Sequence, residues 1–176
     1  KKIMLNKKIN NKIISNKKGD FMFKSYSKTQ LCLMLAALIV FLVPIIFLVC
    51  TWRTIPGEIS THFGALGQAD ATGSKMILPI LVLMEMFLFF FQMVLSLIPG
   101  IINQNPKALE KKSSSIYYHI RSFFCILTLI TNVIFGYIII QIARQKSLGS
   151  WFLPAVIIGV TVPIIYYVVK IVRAGK

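Results

Sequence analysis

The side chain best placed to do chemistry in this sequence is Glu85, the one ionisable residue deep inside an apolar run. It sits nine residues after Met76, about 14 Å along a helix that starts there. An ionised carboxylate at mid-bilayer costs on the order of 2–3 kcal/mol or more, so Glu85 must face a bundle interior or hold a proton. Gln92 and Ser96 follow seven and eleven residues on, which returns them to the same helical face. Cys125, Thr128, Asn132 and Gly136 form a second small-and-polar stripe. We expect Glu85 and Gln92 to face that stripe, with Asn132 hydrogen-bonding across it. Such a face is a polar pocket, a proton site or a ligand-contact surface, or else a packing device with Glu85 protonated.

His62 is the second residue of interest, flanked by Glu58 and Asp70. Imidazole and carboxylate suit zinc, and imidazole changes charge near neutral pH. A lone His without a second His or Cys is more often a hydrogen-bonded structural residue, here tying its loop to a helix end. Cys32, Cys50 and Cys125 fall in or beside apolar runs with no CxxC spacing, so neither a disulfide framework nor a zinc site is expected. No Ser or Cys stands in a recognisable nucleophile elbow. The expectation is a non-enzyme with no metal and no cofactor.

These residues are positioned by four apolar segments. The chain has 176 residues, 56% of them hydrophobic and 14% charged. Its mean hydropathy is +0.75, and a soluble domain of this length would carry fewer apolar and more charged residues. Leu31–Cys50 is an uninterrupted apolar run that reaches about 30 Å as a helix, and it is too long for a signal peptide. Pro44 sits inside it as a potential kink, and Trp52 follows at an interfacial position. Met76–Ile98 is the second crossing, stopped by Pro99-Gly100. Asn105-Pro106 reads as an N-cap and first helical position, opening a short helix. Tyr117 and Tyr118 then lead into a third crossing over Ser122–Gln141. A link from Ala143 to Ser150 precedes the fourth, Trp151–Val169, with Trp151, Tyr166 and Tyr167 as interfacial aromatics.

The net charge of +15 does not imply nucleic acid, because the cations sit in the N-terminal tail and beside the apolar runs, where they meet lipid headgroups. Lys and Arg number nine in the tail, two in the first loop, four in the second, two in the third and three at the end. That alternation places both termini and the second loop in the cytoplasm and the first loop outside. The chain divides into a basic tail, 1–30, and a transmembrane domain, 31–176. Lys17-Lys18-Gly19-Asp20 can be encoded by the purine-rich tract that bacterial ribosomes bind, which makes Met22 a start and residues 1–21 a leader. A native peptide spanning Lys12 to Lys24 would rule that out.

The outer loop, 55–75, is rich in Gly and short polar residues, and Arg53 and Lys75 balance Glu58 and Asp70. Gly64 and Gly67 bracket a tight reversal, Asp70 and Ser74 can cap helix starts, and Lys75 can snorkel to headgroups. The loop therefore reads as a folded cap. Ile55-Pro56, Thr61-His62-Phe63-Gly64, Gly67, Asp70 and Gly73-Ser74-Lys75, with Pro79 beyond, resemble the signature of the domain of unknown function 1648 family. That family includes the SdpI-like bacterial membrane proteins. The resemblance covers about Leu31–Ile98 well and extends weakly into the third crossing. Two departures stand out: Gly64 replaces the usual Asn, and the longer members' C-terminal part with its Gly-x-Arg element is absent. The chain thus resembles the short four-crossing members. The resemblance implies Pro56, His62, Phe63, Gly67, Asp70, Gly73, Ser74 and Lys75 as motif residues, and immunity to, or sensing of, a secreted peptide toxin.

The expected architecture is an all-α integral membrane protein with four transmembrane helices and a structured extracytoplasmic loop between the first two. Its partners are the lipid bilayer and a peptide toxin or membrane protein. Two other roles stand beside immunity: a small transporter or transporter subunit using Glu85, and an accessory subunit of a larger complex.

Overall fold

The computed structural model describes residues 26–102 and 111–175. Its helices are α1 (Lys28–Thr51), α2 (Ile77–Ile102), α3 (Lys111–Ala143) and α4 (Phe152–Gly175). All four are long and apolar enough to cross a membrane. Between α1 and α2 stands an antiparallel hairpin of β1 (Glu58–Phe63) and β2 (Ala69–Ser74).

Helix α3 is the central post. It packs against α1, α2 and α4, whereas α1 and α2 touch sparingly, chiefly through the Phe41–Phe89 ring stack. Gln30 bonds Ser122 and Asn132 bonds Ala37, so α1 runs parallel to α3. Leu78 clusters with Ile139 and Ile142 at one end of α2, and Arg121 bonds the Ser96 carbonyl at the other, so α2 runs antiparallel. The fourth helix packs through rings, Tyr137 on Trp151 and Phe152 and Phe123 on Tyr167.

Helix boundaries differ from the sequence expectation in four places. The first helix begins at Lys28 rather than Leu31, because Ser27 and Gln30 form a capping box: the Ser27 hydroxyl accepts from the Gln30 N–H, and the Gln30 side chain accepts from the Ser27 N–H. Pro99-Gly100 does not stop α2, which stays helical to Ile102. Proline removes one N–H but keeps a helical φ, and without water the backbone has no better partner than itself. The third crossing is the end of one continuous helix from Lys111, so the helix expected ahead of it and the crossing are one element, with Tyr117, Tyr118 and Arg121 inside it. The expected helix start at Pro106 lies outside the described residues, as does Met22. The fourth helix extends past Val169 and takes in Lys170 and Arg173.

Candidate functional site

The outer loop is more ordered than a cap of turns. Thr61, Ile59 and Phe63 favour extended backbone, and Gly67 supplies the positive φ of 73° that the reversal needs. The Gly67 N–H donates to the Gly64 carbonyl at 2.8 Å, and the Gly64 N–H to the Gln68 carbonyl at 2.9 Å. The register shifts on either side of His62. Gly73 leaves room for Thr61 across the ladder, since a Cβ there would meet Thr61 Cγ2 at 3.0 Å.

Three anchors fix the hairpin to the helices. Ile55 and Ile59 are buried in a cluster with Leu48, Leu78, Ile139 and Ile142, and Phe63 packs beside them. At the base, the Lys75 N–H donates to the Gly57 carbonyl at 2.9 Å, and the Ser74 hydroxyl accepts from the Met76 N–H just ahead of α2. At the tip, the Leu148 N–H donates to the Gly67 carbonyl at 2.8 Å, and a Cβ on Gly67 would lie 2.6 Å from the Gly149 carbonyl oxygen. The turn therefore rests directly on the α3–α4 link.

Three motif residues act differently from the sequence expectation. Lys75 does not snorkel outward. Its ammonium donates to the Ile55 and Trp52 carbonyls at 3.2 and 3.4 Å and lies 4.8 Å from the Trp52 ring, closing the C-terminal end of α1. Asp70 caps no helix; it lies in β2 and pairs with His62 Nδ1 at 2.5 Å. His62 ties no loop to a helix end, since its side chain is 71% exposed and its partner is across the hairpin. Glu58 faces Ser74 at the hairpin base, away from that pair, and Pro56 is exposed ahead of β1. Among the described residues no three of His, Cys, Asp and Glu come together. At Gly64 a Cβ would stand 3.5 Å from Asp70 Oδ2, an ordinary van der Waals distance.

Glu85 is fully buried, at 0% exposure. Leu78 and Gln92 lie seven residues to either side on the same face, and both pack on α3, through Ile139 and through a 3.1 Å bond to Thr131 Oγ1. Glu85 accordingly faces α3, where Cys125, Thr128, Asn132 and Gly136 are all buried. Asn132 Nδ2 donates to the Ala37 carbonyl at 2.8 Å, a bond to α1 rather than to α2. Both Glu85 oxygens, Gln92 Oε1 and Asn132 Oδ1 have no hydrogen-bond partner among the described residues. These are acceptors without donors, a set able to receive a proton or a cation but not to act as an activated nucleophile.

A third polar cluster, at the end away from the hairpin, escaped the sequence reading. Gln30 donates to Ser122 Oγ at 2.7 Å and to the Tyr118 carbonyl at 3.2 Å. Arg121, 5% exposed, donates from Nε to the Ser96 carbonyl and lies beneath the Tyr26 ring at 4.4 Å. Tyr26 shares a 2.8 Å hydrogen bond with Ser96 Oγ. Burial pushes the Tyr26 phenol up, against the lowering effects of Ser96 and Arg121. The sequence alone counts Arg121 with a loop and Tyr26 with the basic tail; the signal within reach is the Ser27-x-x-Gln30 capping box, which starts the helix early.

Residues 39–85 match the model of the domain of unknown function 1648, a span that runs from within α1 through the hairpin to Glu85. No curated protein and no solved structure matches the chain.

Proposed function

We propose that this chain, carrying the domain of unknown function 1648 over residues 39–85, is a non-enzymatic multi-pass protein of the bacterial cell membrane that gives SdpI-like immunity to, or sensing of, a secreted peptide toxin. The observation that supports this is the hairpin itself. It is a projection pinned at base and tip, with His62 and Asp70 exposed on it. A fixed polar surface above the helix ends suits contact with a peptide arriving from outside. The lysine and arginine counts support both termini in the cytoplasm, which puts that surface on the outer face. The partners in this reading are the bilayer and the peptide, not nucleic acid. Survival of cells under peptide challenge, with and without the gene, tests it. His62→Ala and Asp70→Ala should lose protection while expression and melting stay unchanged; equal survival with and without the gene sinks the reading.

Two further readings each have an observation in their favour. The unpartnered Glu85 favours a small transporter or transporter subunit, checked by proton-dependent flux in liposomes. The fourth helix, whose apolar window has no buried residue, favours an accessory subunit, checked by co-purification of a stoichiometric membrane partner.

A further inference from the structure

Among the described residues four buried side-chain oxygens lack a hydrogen-bond partner, Gln92 Oε1 and three on two fully enclosed side chains: Glu85 Oε1, Glu85 Oε2 and Asn132 Oδ1. Both side chains are 0% exposed. Native proteins seldom leave buried polar atoms unpaired. Chemistry fixes which Asn132 atom is the orphan. Its Nδ2 donates to the Ala37 carbonyl, which can only accept, so the amide cannot be flipped. The first helix adds a further oxygen. Pro44 has no N–H, so the Val40 carbonyl loses its i+4 donor. Pro44 packs on α3 at Gly136, one turn from Asn132. Phe41 stacks on Phe89, and Pro44 and Glu85 each lie one turn nearer the hairpin, at a common level.

Among the described residues no cationic side chain answers this carboxylate. Glu85 is the only ionisable residue of α2, and α1 has none between Gln30 and its end apart from thiols. On α3, Arg121 lies about 16 Å away along the axis and is engaged with Ser96 and Tyr26. Lys75 is bound to the end of α1, and Lys170 and Arg173 stand at the far end of α4.

We propose that Glu85, Asn132 and the Val40 carbonyl hold one small monovalent cation of the sodium class between α1, α2 and α3. The ligand set is oxygen only, which selects a hard ion. One carboxylate balances one positive charge, whereas a divalent ion would leave net charge in an apolar core. A proton would serve at most two of the three oxygens that Glu85 and Asn132 leave orphaned. Binding requires neither transport nor immunity, so its test is separate from theirs.

The full chain in lipid nanodiscs is melted while choline chloride is replaced by sodium, lithium or potassium chloride at constant total salt. Bound radioactive sodium is counted in parallel. One alkali ion should raise the melting temperature saturably by about 5 °C over choline. Sodium binding should be abolished in Glu85→Gln and weakened at least tenfold in Asn132→Leu. Identical melting in every chloride without bound counts overturns the proposal and leaves Glu85 a protonated packing residue. Binding unchanged in Glu85→Gln overturns it too. Should that variant not fold, Pro44→Leu, which restores the donor to Val40, must weaken sodium binding; unchanged affinity there overturns the proposal.

Discussion

Gly67 shows how one residue can serve two requirements at once. Its φ of 73° disfavours any side chain, and its Cα sits against the Gly149 backbone. Gly67→Ala should therefore destabilise the protein by on the order of 2 kcal/mol or more, because neither backbone can yield like a side chain. Thermal unfolding in nanodiscs measures this, and Gly57→Ala, where a Cβ meets nothing within 4 Å, is the control expected to cost far less. Tyr26 offers a pH-dependent counterpart. Its phenol is raised above 10.0 by burial, so the folded state holds the proton more tightly than the unfolded one. That contribution is fully present below about pH 10 and is lost as pH rises through the folded value. Tyr26→Phe should flatten this alkaline fall in stability; an unchanged alkaline limb would remove Tyr26 from the account.

Among the elements, the hairpin depends on the helices rather than on itself. A two-stranded ribbon is marginal alone, and β2 buries almost nothing. Its order comes from Ile55 and Ile59 in the shared cluster, from the Gly67 contact and from Lys75 over the end of α1. Lys75→Met keeps the stem but removes two carbonyl hydrogen bonds at a helix C-terminus, and should cost about 1–2 kcal/mol. Proteolysis of the 55–75 segment should accelerate in that variant while the helices stay protected. At the other end of α1, Ser27→Ala breaks one half of the capping box, at a cost of about 1 kcal/mol read from the melting temperature.

For the molecule as a whole, the central position of α3 means that α1 and α2 meet mainly through it. The hairpin stands at the end of the bundle opposite the Tyr26 and Arg121 cluster, and the proposed orientation, which rests on the charge counts, has the hairpin outside. Leu66 is 65% exposed at the hairpin tip, so Leu66→Cys in intact cells should react with a membrane-impermeant maleimide above the background of the native chain. Arg173→Cys should react only after permeabilisation. The reverse pattern would invert the topology.

The four crossings were legible from apolar length alone, since a bilayer of about 30 Å demands runs of that size whatever the packing. So were the buried face of Glu85 and Gln92, from helical periodicity, and the reversal between Gly64 and Gly67. What lay beyond the sequence was which groups meet across elements. The strands became visible only once Ile59 had helix ends to pack against, because β2 carries no apolar pattern of its own. Asp70 reads as a cap until β1 brings His62 beside it. Arg121 reads as a loop cation until Tyr26 and the Ser96 carbonyl enclose it. Periodicity names the face that a helix buries; the partners on that face depend on the relative register of separate helices, which local sequence does not encode.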